Sequence, residues 1–229
     1  GMGTKITIGD GGLFSQPLQT LSNADTEFQH GSCQNRLTVT NTPAGVYYLS
    51  ETQGKVFAVT GNGLEEISAT GMRWWFNRYL PYLLTKDFPN YTLTDNPVVG
   101  IGCQSIFDNS NQILYFSKRD FRLRRDITDT VTYAPNLGYN KFLVNDILQI
   151  DLGDPAYFED CSWTVSYDPK NKMWISFHDW HPELCMASKN YFLTTKTVNG
   201  QCGIWKHNDR TDLYANYYGI DYPFEIEYI

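Results

Sequence analysis

Four times along this chain, two runs of aromatic and β-branched residues flank a short polar stretch, and this repetition narrows the fold more than any other feature. The first copy is Val46-Tyr47-Tyr48-Leu49-Ser50, then Glu51-Thr52-Gln53-Gly54, then Lys55-Val56-Phe57-Ala58-Val59. The second joins Cys103-Gln104-Ser105-Ile106-Phe107 to Ile113-Leu114-Tyr115-Phe116-Ser117 across Asp108-Asn109-Ser110-Asn111-Gln112. The third joins Trp163-Thr164-Val165-Ser166-Tyr167 to Met173-Trp174-Ile175-Ser176-Phe177 across Asp168-Pro169-Lys170-Asn171-Lys172. A weaker fourth runs from Tyr191-Phe192-Leu193-Thr194-Thr195 through Asn199-Gly200 to Gly203-Ile204-Trp205-Lys206. Such residues suit a pleated, half-buried surface, and Gly or Asn between them permits the chain to reverse, so each copy reads as a hairpin. The first three start about sixty residues apart, longer than the roughly 40 to 50 of a simple propeller blade, so insertions must fill the difference. The expectation is an all-β fold, a β-propeller-like arrangement of antiparallel hairpins.

One insertion is legible. Met72, Trp75, Phe76, Tyr79, Leu80 and Leu83 recur at helical spacing and place large apolar side chains on one face. This predicts one amphipathic helix over residues 71–80, capped by Ser68 or Thr70 and ended by Pro81, which lacks the N–H that the next turn needs. Residues 1–44 are rich in Gly, Ser, Thr, Asn and Gln, with turn signals at Gly9-Asp10-Gly11-Gly12 and Asn41-Thr42-Pro43-Ala44-Gly45. They read as an irregular N-terminal segment with one strand at residues 36–40, leaving 45–229 as the β domain. Phe224-Glu225-Ile226-Glu227-Tyr228 alternates like a strand, and Gly1 before Met2 resembles a cleavage scar, so a fragment of a longer protein is one reading of the chain.

Composition removes several function classes. The 229 residues carry 18 Lys plus Arg against 25 Asp plus Glu, and 18 − 25 gives a net charge of −7, which opposes general attraction to phosphate. An apolar share of 41% with 19% charged residues is too apolar for a disordered polyelectrolyte. No apolar run approaches the roughly 20 residues of a membrane span, and the N-terminus has no signal-peptide core, so membrane insertion is not expected. The five cysteines, Cys33, Cys103, Cys161, Cys185 and Cys202, include no CxxC pair; a zinc ribbon is excluded, reduced structural thiols are expected, and no cofactor is called for.

Two clusters could carry chemistry. His178, Asp179, His181 and Glu183 gather two imidazoles and two carboxylates, the raw material of a metal or proton-transfer site. Their spacing fits neither one strand face nor one helix face, which favours a hydrogen-bonded corner after a strand. Lys118, Arg119, Arg122, Arg124 and Arg125 form the one dense basic run. On a strand, Arg122 and Arg124 share one face while Phe121 and Leu123 share the other, so the run reads as an exposed or subunit-facing ridge rather than a specific nucleic-acid reader. Ser166 to Trp174 is a poor match to the Asp-box turn of sialidases, and a glycosidase pair of carboxyls cannot be picked out from sequence.

Several segments also carry a family resemblance: Gly45 through Phe57, Gly71-Met72-Arg73-Trp74-Trp75-Phe76 with Tyr79-Leu80-Pro81, Ile113 through Lys118, Lys172 through Phe177, Gly203 through Asn208 and Phe224 through Tyr228. In order and number these resemble a virion protein of crAss-like gut bacteriophages, the structural or stabilisation protein of the tail muzzle, or nozzle. The resemblance spans roughly residues 45–229 and implies a propeller-like tail component that assembles with other tail proteins and copies of itself around the DNA exit channel. It implies no catalytic residues and a place in the virion after synthesis in the host cytoplasm. The family's proteins are much longer than this chain. The competing readings are a propeller-type glycoside hydrolase and a carbohydrate-binding module acting on surface polysaccharide.

Overall fold

A computed structural model describes residues 31–208 and 215–222, all within one compact unit that begins at Gly31. The turn at Gly9 to Gly12 and the strand expected at residues 224–228 lie outside the described residues. The described chain is mostly β, in antiparallel sheets. The first sheet is a meander of β1 (Thr40–Thr42), β2 (Gly45–Ser50), β3 (Lys55–Thr60) and β4 (Gly63–Glu66). Two short helices follow, α1 (Arg73–Tyr79) and α2 (Leu84–Asp87). The second sheet begins with β5 (Gly102–Asp108) and β6 (Ile113–Arg119).

After β6 the chain leaves the sheet for β7 (Phe121–Leu123), β8 (Val131–Tyr133), β9 (Lys141–Val144), β10 (Leu148–Asp151) and β11 (Phe158–Asp160). It then returns with β12 (Trp163–Asp168) and β13 (Met173–His178), and β12 pairs with β6, giving the order β13-β12-β6-β5. The third sheet is β14 (Leu184–Met186), β15 (Phe192–Val198) and β16 (Gln201–His207), and β17 (Asn216–Tyr217) pairs with β18 (Ile220–Asp221). All four expected hairpins are present. The second and third, however, are halves of one four-stranded sheet, because β6 has a free edge that β12 satisfies across the inserted residues 120–162. Among the described residues no closed barrel or closed ring of blades is formed, and no helix is long and apolar enough to cross a membrane.

The second sheet is the middle layer. On one face Leu114, Phe116, Val165 and Tyr167 join Tyr47, Leu49, Val56 and Ala58 of the first sheet in one core. On the other face Ile106 and Tyr115 pack with Phe192, Trp180, Tyr217 and Tyr218. A strand buried on both faces reads as a continuous apolar run rather than an alternation, as β6 does. The insertion adds its own aromatic cluster, with Phe142 between Phe88 and Phe158 at 5.0 and 4.9 Å.

Two hairpin turns are built alike. Asp108 Oδ1 accepts the N–H groups of Ser110 and Asn111 while Oδ2 accepts Asn111 Nδ2, and Asp168 does the same for Lys170 and Asn171. Each turn ends on a non-glycine residue at positive φ, Gln112 at 59° and Lys172 at 54°. The Asp-x-x-Asn pattern thus supplies the turn that Gly supplies elsewhere.

The expected helix stripe is buried where it matters: Phe76 and Leu80 have no exposure, and Met72, Trp75 and Tyr79 pack on the same core. Neither Ser68 nor Thr70 caps it, since Met72 holds that position without a side-chain bond. Ser68 Oγ is instead engaged by Glu66 and by the Val56 N–H. Gly54 (φ +63°) lets the β2–β3 turn sit beneath the helix, where a Cβ would meet Asn77 Cα at 2.7 Å. The strand expected at residues 36–40 is a 3-10 turn over Arg36–Thr38, fixed by Asn35 Oδ1 accepting the Leu37 N–H, with β1 beginning at Thr40. The boundary expected between residues 44 and 45 falls inside the β1–β2 hairpin.

Candidate functional site

The basic run does not form a single exposed ridge. Lys118 is buried, because even positions of β6 (Leu114, Phe116, Lys118) face the layer that carries α1. Its ammonium donates to Asp120 Oδ2 (2.6 Å), Tyr79 O (2.8 Å) and Pro81 O (3.1 Å). Arg119 donates to the carbonyls of Pro97 and Val98. Arg122 forms a two-pronged pair with Glu159 directly opposite on β11, Arg124 does so with Asp126, and Arg125 pairs with Asp87. Phe121 and Leu123 pack on the core while Arg122 and Arg124 face outward, as strand alternation requires.

The His178 cluster is a set of separate hydrogen bonds. His178 Nε2 lies 2.9 Å from Ser166 Oγ, and His181 Nδ1 lies 3.3 Å from Thr164 Oγ1, so each imidazole is tied to a hydroxyl on one face of β12. Burial holds His178 down to about 4, and it lowers His181 too, so both rings are neutral near pH 7. Glu183 accepts from Thr197 Oγ1 and Asp179 is exposed. Among the described residues no three of His, Cys, Asp or Glu come together as a metal-ligand set.

A different polar site was not legible in the sequence. An open cleft of about 550 Å³ lies where the three sheets begin, lined by Gln34, Arg36 and Leu37 ahead of β1, Asp95 and Asn96 ahead of β5, and Leu184 at the start of β14. Asn35 Nδ2 ties this edge together by donating to Asp95 O and Cys103 O. Tyr82 points its hydroxyl between Asp95 Oδ1 (3.5 Å) and Cys103 Sγ (3.8 Å), with the Lys118 ammonium 5.1 Å from its ring. Beside them Glu51 is 4% exposed, and its Oε1 has no hydrogen-bond partner. Burial, then the Asp95 charge, pushes the Glu51 carboxyl up to about 7, and burial also raises Asp95. The arrangement holds a carboxyl that exchanges its proton near neutral pH. Glu51 reads as an ordinary turn residue in sequence, since nothing local indicates that the helical segment folds over it.

No protein-family model matches the chain, and no curated protein matches it.

Proposed function

We propose that this chain is a structural, non-catalytic component of a bacteriophage tail, similar to the muzzle proteins of crAss-like phages, assembling with copies of itself and other tail proteins around the DNA exit channel. The observation that carries this reading is the order of the sheets. Their first strands are neighbours, with Thr40 Oγ1 2.7 Å from Ser105 Oγ between β1 and β5, and Gln104 Oε1 accepting the Cys185 N–H at 2.7 Å between β5 and β14. Each sheet then meanders away from that line in chain order, and the middle sheet packs on both others face to face. Successive propeller blades follow this plan, so we read the three sheets as an arc of a propeller-like arrangement. The net charge of −7 suits a wall past which DNA slides without being held. Antibody against the chain should label the tails of purified virions; absence from virions overturns the reading.

The cleft favours a second reading, saccharide binding, because it is open and lined largely by polar side chains, with the Asp95 carboxyl among them. Retention on polysaccharide that is lost in Asp95→Asn, with absence of the chain from virions, would establish it in place of the first.

A further inference from the structure

Among the described residues the most exposed large apolar side chain is Ile147, at 86%, with Leu148 beside it at 52%. Ile147 lies in the tip joining β9 to β10 and Leu148 opens β10; within the tip Asn145 and Asp146 take left-handed φ values of 50° and 60°. The tip is stiff. Asn145 donates from Nδ2 to Asp129 Oδ1 (2.7 Å) and from its backbone to Thr130 O (2.8 Å), while its Oδ1 accepts the Thr130 N–H (3.0 Å). A preformed loop loses little entropy on docking, so the tip is a ready apolar knob with one carboxylate, Asp146, on its flank.

A surface of matching chemistry lies on α1 and β13. Rings run from Trp74 through Tyr79 and Trp75 to Phe177 with centroid separations of 6.4, 5.3 and 5.0 Å. Trp74 is 68% exposed and Phe177 55%. Arg78 stacks on Trp74 at 5.5 Å, and among the described residues neither Arg78 nor Asp146 has an ion-pair partner. Exposed aromatic rings with a stacked Arg are the composition of a protein-binding surface. The edge of β13 itself is guarded: its pairing to β12 shifts register between Trp174 and Ser176, and such a bulge blocks a further strand. The surface therefore offers side chains, not backbone.

We propose that the hairpin tip of one copy docks on this aromatic row of a second copy, with Ile147 and Leu148 against the rings and Asp146 against the Arg78 guanidinium. At 86% exposure Ile147 is open to a second copy. Knob and row are different surfaces, which makes the contact head-to-tail and able to propagate into a ring or filament. The proposal rests on the assembly reading above and names the surfaces that reading needs. A single knob buries less than the roughly 1,200 Å² of a standard interface, so one contact is weak and closure of a ring strengthens it.

Sedimentation velocity on the full 229-residue chain tests this. Association should rise with concentration, and Arg78→Asp, Asp146→Arg or Ile147→Asp should each lower the association constant at least about tenfold, or about 1.4 kcal/mol, with melting temperature unchanged. Mixing the Arg78→Asp and Asp146→Arg proteins should restore association, since each then meets an opposite charge. A wild-type chain that stays monomeric up to millimolar concentration, an Arg78→Asp protein that associates like wild type, or a mixture that fails to recover would each overturn the proposal. Retention on polysaccharide that is lost in Trp74→Ala, with no self-association, would also overturn it by giving the row to sugar. Absence of the chain from virions would remove the tail reading while leaving a measured association standing.

Discussion

Lys118 Nζ lies 2.6 Å from Asp120 Oδ2, and neither side chain has any solvent exposure. The pair is the seat of the helical segment on the middle sheet. Lys118 takes the carbonyls of Tyr79 and Pro81, Trp163 Nε1 also donates to Tyr79 O, and Asp120 accepts the N–H groups of Leu83, Leu84 and Phe121. The backbone groups that the end of α1 and the start of α2 leave open are met by these side chains.

Lys118→Met should therefore destabilise the chain by about 3 to 5 kcal/mol, since it strands a buried carboxylate. Urea denaturation measures this, and a loss below about 1 kcal/mol would mean that Asp120 is held well enough by its backbone donors alone.

Neighbouring tryptophans should behave differently. Trp75 packs on Phe76, Tyr79, Trp163 and Phe177, so Trp75→Ala should cost about 3 to 5 kcal/mol. Trp74, 68% exposed, should cost within about 0.5 kcal/mol on the same substitution. Equal losses in thermal or urea unfolding would contradict the placement of α1.

Glu51 makes stability fall as pH rises. Its carboxyl goes from an ordinary value of 4.5 to about 7 on folding, so its contribution is complete below about 4.5 and lost as pH climbs through 7. Over that window the loss is on the order of 3 kcal/mol, and Glu51→Gln should abolish it. Urea midpoints at pH 5 and pH 8 decide; an unchanged slope in the variant assigns the effect elsewhere.

His178 acts in the opposite direction. Held down to about 4 by burial, it contributes stability that is present above 6.5 and lost as pH falls from 6.5 through 4. The two slopes overlap, so the His178 effect should emerge clearly in a Glu51→Gln background. Adding His178→Gln should then reduce the fall in unfolding midpoints between pH 6.5 and 4, leaving the part that the buried His181 contributes.

The Asp-x-x-Asn turns give a further test. Gln112→Gly should stabilise by up to about 1 kcal/mol by relieving a left-handed residue. Asp108→Ala should destabilise by about 1 to 2 kcal/mol, because two backbone N–H groups lose their acceptor. Thermal unfolding that moves the other way for either would count against the turn geometry.

By itself the sequence determined the local elements. Alternating apolar runs around polar turns specify β2 with β3, β5 with β6, β12 with β13, and β15 with β16, and helical spacing specifies α1, because these signals depend only on neighbours along the chain. It also determined the outward and inward faces along β7 and the residue after it, where Arg122 and Arg124 alternate with Phe121 and Leu123. Tertiary structure alone decided that β6 and β12 join across the inserted residues 120–162, since an edge strand's hydrogen bonds carry no mark of their distant partner. It decided, too, that Lys118 is a core residue while Arg122 is not, and that Glu51 in a turn is a buried carboxyl. A side chain's charge state and role follow from what folds over it, and for these residues that cover comes from helix and loop segments tens of positions away in the chain.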